Sequence, residues 1–328
     1  MNLFMLKPYS LMFYLTLFLG IFISLTSNNW FTIWMGLEIN MYSFIPLLLQ
    51  SNKNQEKEAA IKYFIIQALA SGLLLTASLL LYSSVSTLLI TLSLMMKLAL
   101  APCHFWFPSV MNSLPWNMCW LLTTLQKISP LFLFSQIMFD FNALLLTFIS
   151  ALSALTGAIG GLKQTQLRAI LAYSSIGHLG WLAAATATSF CTLNLYLSSY
   201  IFMISTIMFL ANMNRMKTAT PLIFPNSKHL LSLSLLSLGG LPPLFGFFPK
   251  LILLFSLIQM NLILLPFILV MSSTINLYYY LKIVFFSSLQ APSMNTFFAL
   301  NKSSTTILFP FIFSVSTIMG LFLVMMFL

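Results

Sequence analysis

Residues 96–108 read MKLALAPCHFWFP. This stretch lies inside an apolar run long enough to cross a bilayer, which takes about 20 helical residues. Yet it carries Lys97 near the middle and Pro102 five residues later. A cation at the bilayer centre costs roughly 2.5–3.5 kcal/mol even on mild scales, so such groups face a bundle interior or a wet cavity. Pro102 removes a backbone donor and clashes with the preceding turn, which kinks or breaks a helix. Non-helical backbone survives at membrane depth only where protein or water lines it. The stretch points to a charged, hydrated site inside a membrane. The alternative is a plain proline kink with Lys97 snorkelling to an interface, and its central position argues against that.

Composition extends the reading to the whole chain. The 328 residues are 60% hydrophobic and 5% charged, with mean hydropathy +0.99. A soluble domain has about 25% charged residues, so this is an all-α polytopic membrane protein, with no polar segment long enough for a soluble domain. The net charge of +10 does not indicate nucleic acid, because the 14 basic residues are scattered singly rather than clustered. Cys103, Cys119 and Cys191 lack CxxC spacing and are expected to be buried thiols, with no metal or iron–sulfur site. No GxGxxG, P-loop or nucleophile constellation is present. No cleavable leader is expected before the first span.

Eleven spans are predicted, at about 8–26, 29–49, 60–82, 86–107, 116–138, 142–161, 167–188, 191–212, 229–258, 260–286 and 305–327. They form a single transmembrane domain over 1–328. With an odd count, the N-terminus and alternate loops share one side. That side holds Lys7, Lys53, Lys57, Lys62, Lys163, Arg168, Arg215, Lys217, Lys228, Lys282 and Lys302. The opposite loops and the C-terminus hold only Asp140. This split places the N-terminus on the inside.

The other three basic residues, Lys97, Lys127 and Lys250, fall within spans, as does Glu38. A second interrupted helix is expected at 239–251, GGLPPLFGFFPKL, where two glycines and two adjacent prolines should unwind span nine. Paired interrupted spans suggest a transporter built from repeats. Breaks in spans four and nine fit two inverted five-helix repeats, about 8–138 and 142–286, followed by a C-terminal helix at about 305–327. The order of proline and lysine differs between the two, and Glu38 has no acidic counterpart. Gly157–Gly161 has GxxxG spacing, read as close helix packing. His178, one turn beyond Ser174, either relays protons or bonds helix to helix. His104 is a similar case.

Several stretches carry a family resemblance: WMGLEIN at 34–40, KYFIIQALAS at 62–71, KLALAPCHFWFP at 97–108 and LQKISPL at 125–131. So do GLKQTQLRAILAYSSIGHLGW at 161–181 and GGLPPLFGFFPK at 239–250. Together they resemble the chain 2 family of NADH–ubiquinone oxidoreductase, the antiporter-like subunits of respiratory complex I. The resemblance covers about residues 30–285. It implies an antiporter-like fold in the mitochondrial inner membrane, N-terminus in the matrix and C-terminus in the intermembrane space. It implies no cofactor in this chain, with NAD, FMN, iron–sulfur clusters and ubiquinone in other subunits. The implied partners are other membrane-arm subunits, neighbouring antiporter-like ones among them, and lipids such as cardiolipin.

The resemblance also assigns proton-path roles. Glu38 and Lys97 match an acid–lysine input pair, Lys127 a central-axis lysine, and Lys250 the lysine of the second broken helix. His178 matches a polar position on the central axis. The expected function is proton translocation by a membrane subunit of a redox-driven pump. A stand-alone cation/proton antiporter and a structural scaffold are the alternatives. The first is disfavoured because Glu38 is the one acid read as well buried.

Overall fold

The computed structural model describes residues 8–50, 53–80, 84–138, 143–213 and 225–289. Its regular structure there is entirely helical, in thirteen helices among the described residues. The chain forms two compact units, Met1–Ala143 and Leu144–Leu328.

The first unit contains α1 (Pro8–Thr26), α2 (Trp30–Leu48), α3 (Asn54–Leu79), α4 (Ser84–Leu98), α5 (Trp106–Ser113), α6 (Trp116–Thr123) and α7 (Leu125–Met138). The second contains α8 (Ala143–Leu162), α9 (Leu167–Thr188), α10 (Phe190–Met213), α11 (Pro225–Gly239), α12 (Phe247–Gln259) and α13 (Leu264–Leu289). Six of these helices, α1, α2, α3, α8, α10 and α13, are long and apolar enough to cross a membrane. Helix α9 is as long but richer in polar residues, and nearly all of it is buried. Three further expected spans are divided into the pairs α4/α5, α6/α7 and α11/α12. The expected helix at 305–327, Asp140 and the loop residues Lys7, Arg215, Lys217 and Lys302 lie outside the described residues.

The side-chain distribution inverts that of a soluble protein. Phe18, Phe22, Phe31, Leu69, Phe148, Phe255 and Phe267 are exposed, whereas Glu38, Lys97, Lys127, His178 and Lys250 are buried. That pattern suits a lipid solvent, where polar groups turn inward and apolar ones coat the outside. Many serine and threonine hydroxyls are satisfied within their own helices, whereas those of Ser27 and Ser129 are buried without a partner. Ser93 donates to the Ile90 carbonyl (2.7 Å), Ser150 to Thr147 (2.9 Å) and Ser272 to Leu269 (2.8 Å). Hydroxyls bonded in this way need no water to hold them.

Without a hydrophobic force between helices in lipid, close packing decides association. The GxxxG expectation holds at Gly157. A Cβ there would run into the Gly177 backbone, so α8 and α9 approach at a site without side chains. In the first unit Gly20 and Gly36 do the same for α1 and α2.

Candidate functional site

The first break follows Lys97. Helix α4 ends at Leu98, Ala99 takes a positive φ of 62°, and helix resumes at Trp106. Breaking a helix orphans its last carbonyls. Here the Leu100 amide reaches back to the Met95 carbonyl (3.0 Å), and the Trp106 indole donates to the Met96 carbonyl (3.1 Å). Lys97 thus sits in the last turn of a half-helix, where the negative end of the helix dipole favours a cation. His104 lies in the break, with Nδ1 3.3 Å from the Pro102 carbonyl.

A discontinuity the sequence did not announce precedes Lys127. Span five was expected to run unbroken over 116–138, but α6 stops at Thr123 and α7 starts at Leu125. Thr123 and Thr124 bond back to the Cys119 (2.9 Å) and Trp120 (2.6 Å) carbonyls, and back-bonding of this kind bends helices. Pro130 cannot donate to the Gln126 carbonyl four residues earlier, which loosens the same turn. Lys127 projects from it, its ammonium 4.7 Å from the centre of the Phe107 ring, within cation–π range.

Lys97 and Lys127 line one small cavity together with Asn40, Tyr63, Gln67, Trp106, Phe107 and Gln126. About 20 Å³ of it is open to the centre of a water molecule, room for about one water by the usual volume requirement. The Tyr63 hydroxyl donates to Gln126 Oε1 (3.2 Å), and Gln126 Nε2 donates to Asn40 Oδ1 (3.0 Å). This amide chain ties α2, α3 and α7 around the two lysines. Asn40, Tyr63, Gln67 and Gln126 were not singled out from the sequence, although each lies in a stretch carrying the family resemblance.

Glu38 is buried on α2 but stands outside salt-bridge distance of Lys97, near enough for its charge to act on both Lys97 and Tyr63. A second acid corrects the expectation that Glu38 alone is well buried. Glu56 was read as part of a loop, but α3 begins at Asn54 and carries it inward at 4% exposure. Its carboxylate lies 3.7 Å from the exposed Lys53 ammonium, and as a first-turn acid it suits the positive end of the α3 dipole. The expectation of three buried thiols holds for Cys119 only. Cys103 is half-buried in the break, and Cys191 is exposed on α10 beside the outward-facing Phe190 and Leu195.

In the second unit α11 ends at Gly239 and α12 begins at Phe247. Gly240 turns the chain with φ +83°, a conformation that a Cβ disfavours. Lys250 follows the break in sequence, but its Nζ reaches back and donates to the Gly239 carbonyl (2.8 Å). The lysine that precedes one break and the lysine that follows the other therefore place their charge alike, at the C-terminal end of the half-helix that runs into the break. The Lys250 ammonium also lies 5.7 Å from the Trp181 ring centre. Trp181 stacks on Tyr196 (6.1 Å, 9°), and the Tyr196 hydroxyl is 2.9 Å from His178 Nδ1. His178 is thus bonded helix to helix, from α9 to α10, and two aromatic side chains, Tyr196 and Trp181, separate it from Lys250.

Among the described residues no cluster of histidine, cysteine or carboxylate side chains could hold a metal ion. The arrangement is one of buried lysines, amides and hydroxyls, groups able to carry and pass protons.

Comparison with known proteins agrees with the geometry. A family model described as NADH:quinone oxidoreductase/Mrp antiporter, TM, matches residues 27–91 and 83–276. The NADH-ubiquinone oxidoreductase chain 2 of Didelphis virginiana is 42% identical, the match covering 85% of this chain and 86% of that one. That of Locusta migratoria is 38% identical over 95% and 94%. A chain of respiratory complex I from Thermus thermophilus shares the fold at a TM-score of 0.79 and 24% identity, covering 88% of this chain and 72% of that one. Broken, lysine-bearing helices in an all-helical fold and relatives this similar over most of both lengths lead to one conclusion: the chain belongs to the NADH-ubiquinone oxidoreductase chain 2 family.

Proposed function

We propose that this chain is a proton-translocating subunit of the membrane arm of mitochondrial NADH:ubiquinone oxidoreductase. Electron transfer from NADH to ubiquinone takes place in other subunits, and this chain does no redox chemistry of its own. It lies in the inner membrane with its N-terminus in the matrix and its C-terminus in the intermembrane space, beside other antiporter-like subunits and lipids such as cardiolipin. The observation that carries the reading is that Lys97 and Lys127 line one small, partly polar cavity inside apolar helices. Two cations in one buried site are hard to account for as architecture, because each incurs the cost of burial and repels the other.

The roles follow from the chemistry of the groups. An ammonium can release a proton and an amine can take one up, so a lysine carries a proton without a covalent intermediate. A carboxylate at about 4 Å from an ammonium is worth on the order of 4 kcal/mol at an effective dielectric of 20. That is comparable to the roughly 2.5–3.5 kcal/mol cost of a cation at the bilayer centre. Closing the gap between Glu38 and Lys97 therefore holds Lys97 charged. With the gap open, Lys97 passes its proton across the cavity to Lys127, breaking one N–H bond and forming another. Lys250 serves as the terminal donor or acceptor in the second unit, with His178 linked to it through Trp181 and Tyr196.

The test is Lys97→Arg. A guanidinium keeps the charge but does not give up its proton. Coupled proton translocation should fail, while electron transfer from NADH to an artificial acceptor continues. Glu38→Gln should fail in the same way, and the double variant should be no worse than either alone, since both disable one element. Normal translocation by Lys97→Arg would make Lys97 a structural charge.

A further inference from the structure

Helix α13 carries three buried polar groups on one face, apart from the lysines and His178. Asn276, Tyr279 and Tyr280 stand at spacings of three and four residues, so they share that face. Asn276 Oδ1 is buried without a hydrogen-bond partner, and the two buried tyrosine hydroxyls interact with each other without a well-formed hydrogen bond. The Ser174 hydroxyl of α9 lies near both tyrosine hydroxyls, but it donates to the Leu171 carbonyl (2.9 Å). Each buried polar group left unmatched costs about 1–3 kcal/mol. The bonding capacity left over on this face calls for a further partner, and ordered water is the usual one.

The surroundings give this face two ends. The Tyr280 ring packs on Gly239, where a Cβ would come within 3.3 Å of it, and the Gly239 carbonyl is the one that holds Lys250 Nζ. The Tyr279 ring packs on Gly161, where a Cβ would meet it at 2.8 Å. Gly161 is in the last turn of α8, two residues before the exposed Lys163, and Lys282 is exposed three residues after Tyr279. The two tyrosine rings touch edge to face, with centroids 4.6 Å apart. On the flank, Asn276 Nδ2 comes close to Gly177, next to His178. One end of the face thus adjoins the Lys250 anchor, and the other adjoins the exposed Lys163 and Lys282, assigned from the sequence to one side of the membrane.

We propose that Tyr280 and Tyr279, with Asn276 beside them, hold a water-linked hydroxyl lane through which Lys250 exchanges protons with the Lys163/Lys282 face. The proposal rests on the reading of Lys250 as a proton carrier and names the route by which it is reached. Each transfer breaks one N–H or O–H bond and forms another on the next oxygen. Every hydroxyl gives up one proton as it accepts the next, and no electron moves.

The test uses the assembled complex in sealed membrane vesicles, with Tyr279→Phe, Tyr280→Phe, their double variant, and Lys250→Met in parallel. Phenylalanine keeps the ring packing on Gly161 and Gly239 and removes only the hydroxyl. The double variant should assemble and keep its electron transfer to an artificial acceptor. Its coupled proton translocation should fall about tenfold, the equivalent of about 1.4 kcal/mol in barrier. Normal translocation in the double variant, with Lys250→Met impaired, would overturn the lane and leave the role of Lys250 standing. Normal translocation in Lys250→Met would instead overturn the role of Lys250, and the lane with it. Should the double variant fail to assemble, the single variants decide: a loss in either supports the lane, and a normal rate in both overturns it.

Discussion

Gly240→Ala is a one-carbon change whose consequence can be worked out from the second break. A Cβ at this position would lie 2.7 Å from Lys250 Nζ, 3.1 Å from its Cδ and 3.2 Å from its Cε. The lysine has to move, and the move takes Nζ off the Gly239 carbonyl that it now meets at 2.8 Å. The backbone adds a second cost, because φ is +83° and a side chain in the left-handed region costs roughly 1–2 kcal/mol. Losing a hydrogen bond from a charged donor costs about 1.5–3 kcal/mol. The total expected is about 2.5–5 kcal/mol from these two sources. Only the lysine part should vanish when Lys250 is already absent. In a Lys250→Ala background the same glycine change should therefore cost only about 1–2 kcal/mol, the strain alone. The assay is a double-mutant cycle read by thermal unfolding of the solubilised complex, with coupled proton translocation measured alongside. Gly240→Ala should pump as poorly as Lys250→Ala. Equal costs in both backgrounds, or normal pumping by Gly240→Ala, would refute the placement of the lysine.

Two further outcomes are expected. Gly157→Ala should destabilise the second unit by about 1–3 kcal/mol, because its Cβ meets backbone at Gly177 and Tyr173 rather than a side chain that can yield; a thermal melt unchanged from wild type would contradict that packing. Protease added from the intermembrane side of intact inner-membrane vesicles should leave the segment 213–228 uncut, since the basic loops are assigned to the matrix, and cleavage there would overturn both the orientation and the span count.

The legible parts of the fold were those whose chemistry is written in consecutive residues. A lysine and a proline within one apolar run forecast the break at 99–105, and GGLPP forecast the one at 240–246, because each device acts on its own turn. The break at Thr124 was hidden because two threonines bonding back to carbonyls look like ordinary helix residues, and Pro130 acts from six residues away. Glu56 was hidden because a charged start to an apolar run reads as loop, whereas a helix N-terminus favours an acid. The amide chain Asn40–Gln126–Tyr63 was hidden for a different reason. In helices apolar all round, periodicity gives no core-facing stripe, so it does not say which polar residue meets which. The tyrosines of α13 were hidden likewise, since three in a row at 278–280 resemble an interfacial belt until the packing on Gly239 and Gly161 is seen. The lysines themselves were found because a buried cation stands out in any apolar span.

The central claim is that Lys127 carries protons across the cavity it shares with Lys97. The most direct measurement counts protons moved per electron pair in sealed vesicles whose complex carries Lys127→Met, alongside electron transfer from NADH to an artificial acceptor. Methionine fills nearly the same volume and cannot take up a proton. Assembly and artificial-acceptor activity should persist while coupled translocation is lost. A Lys127→Met complex that moves the wild-type number of protons per electron pair would contradict it.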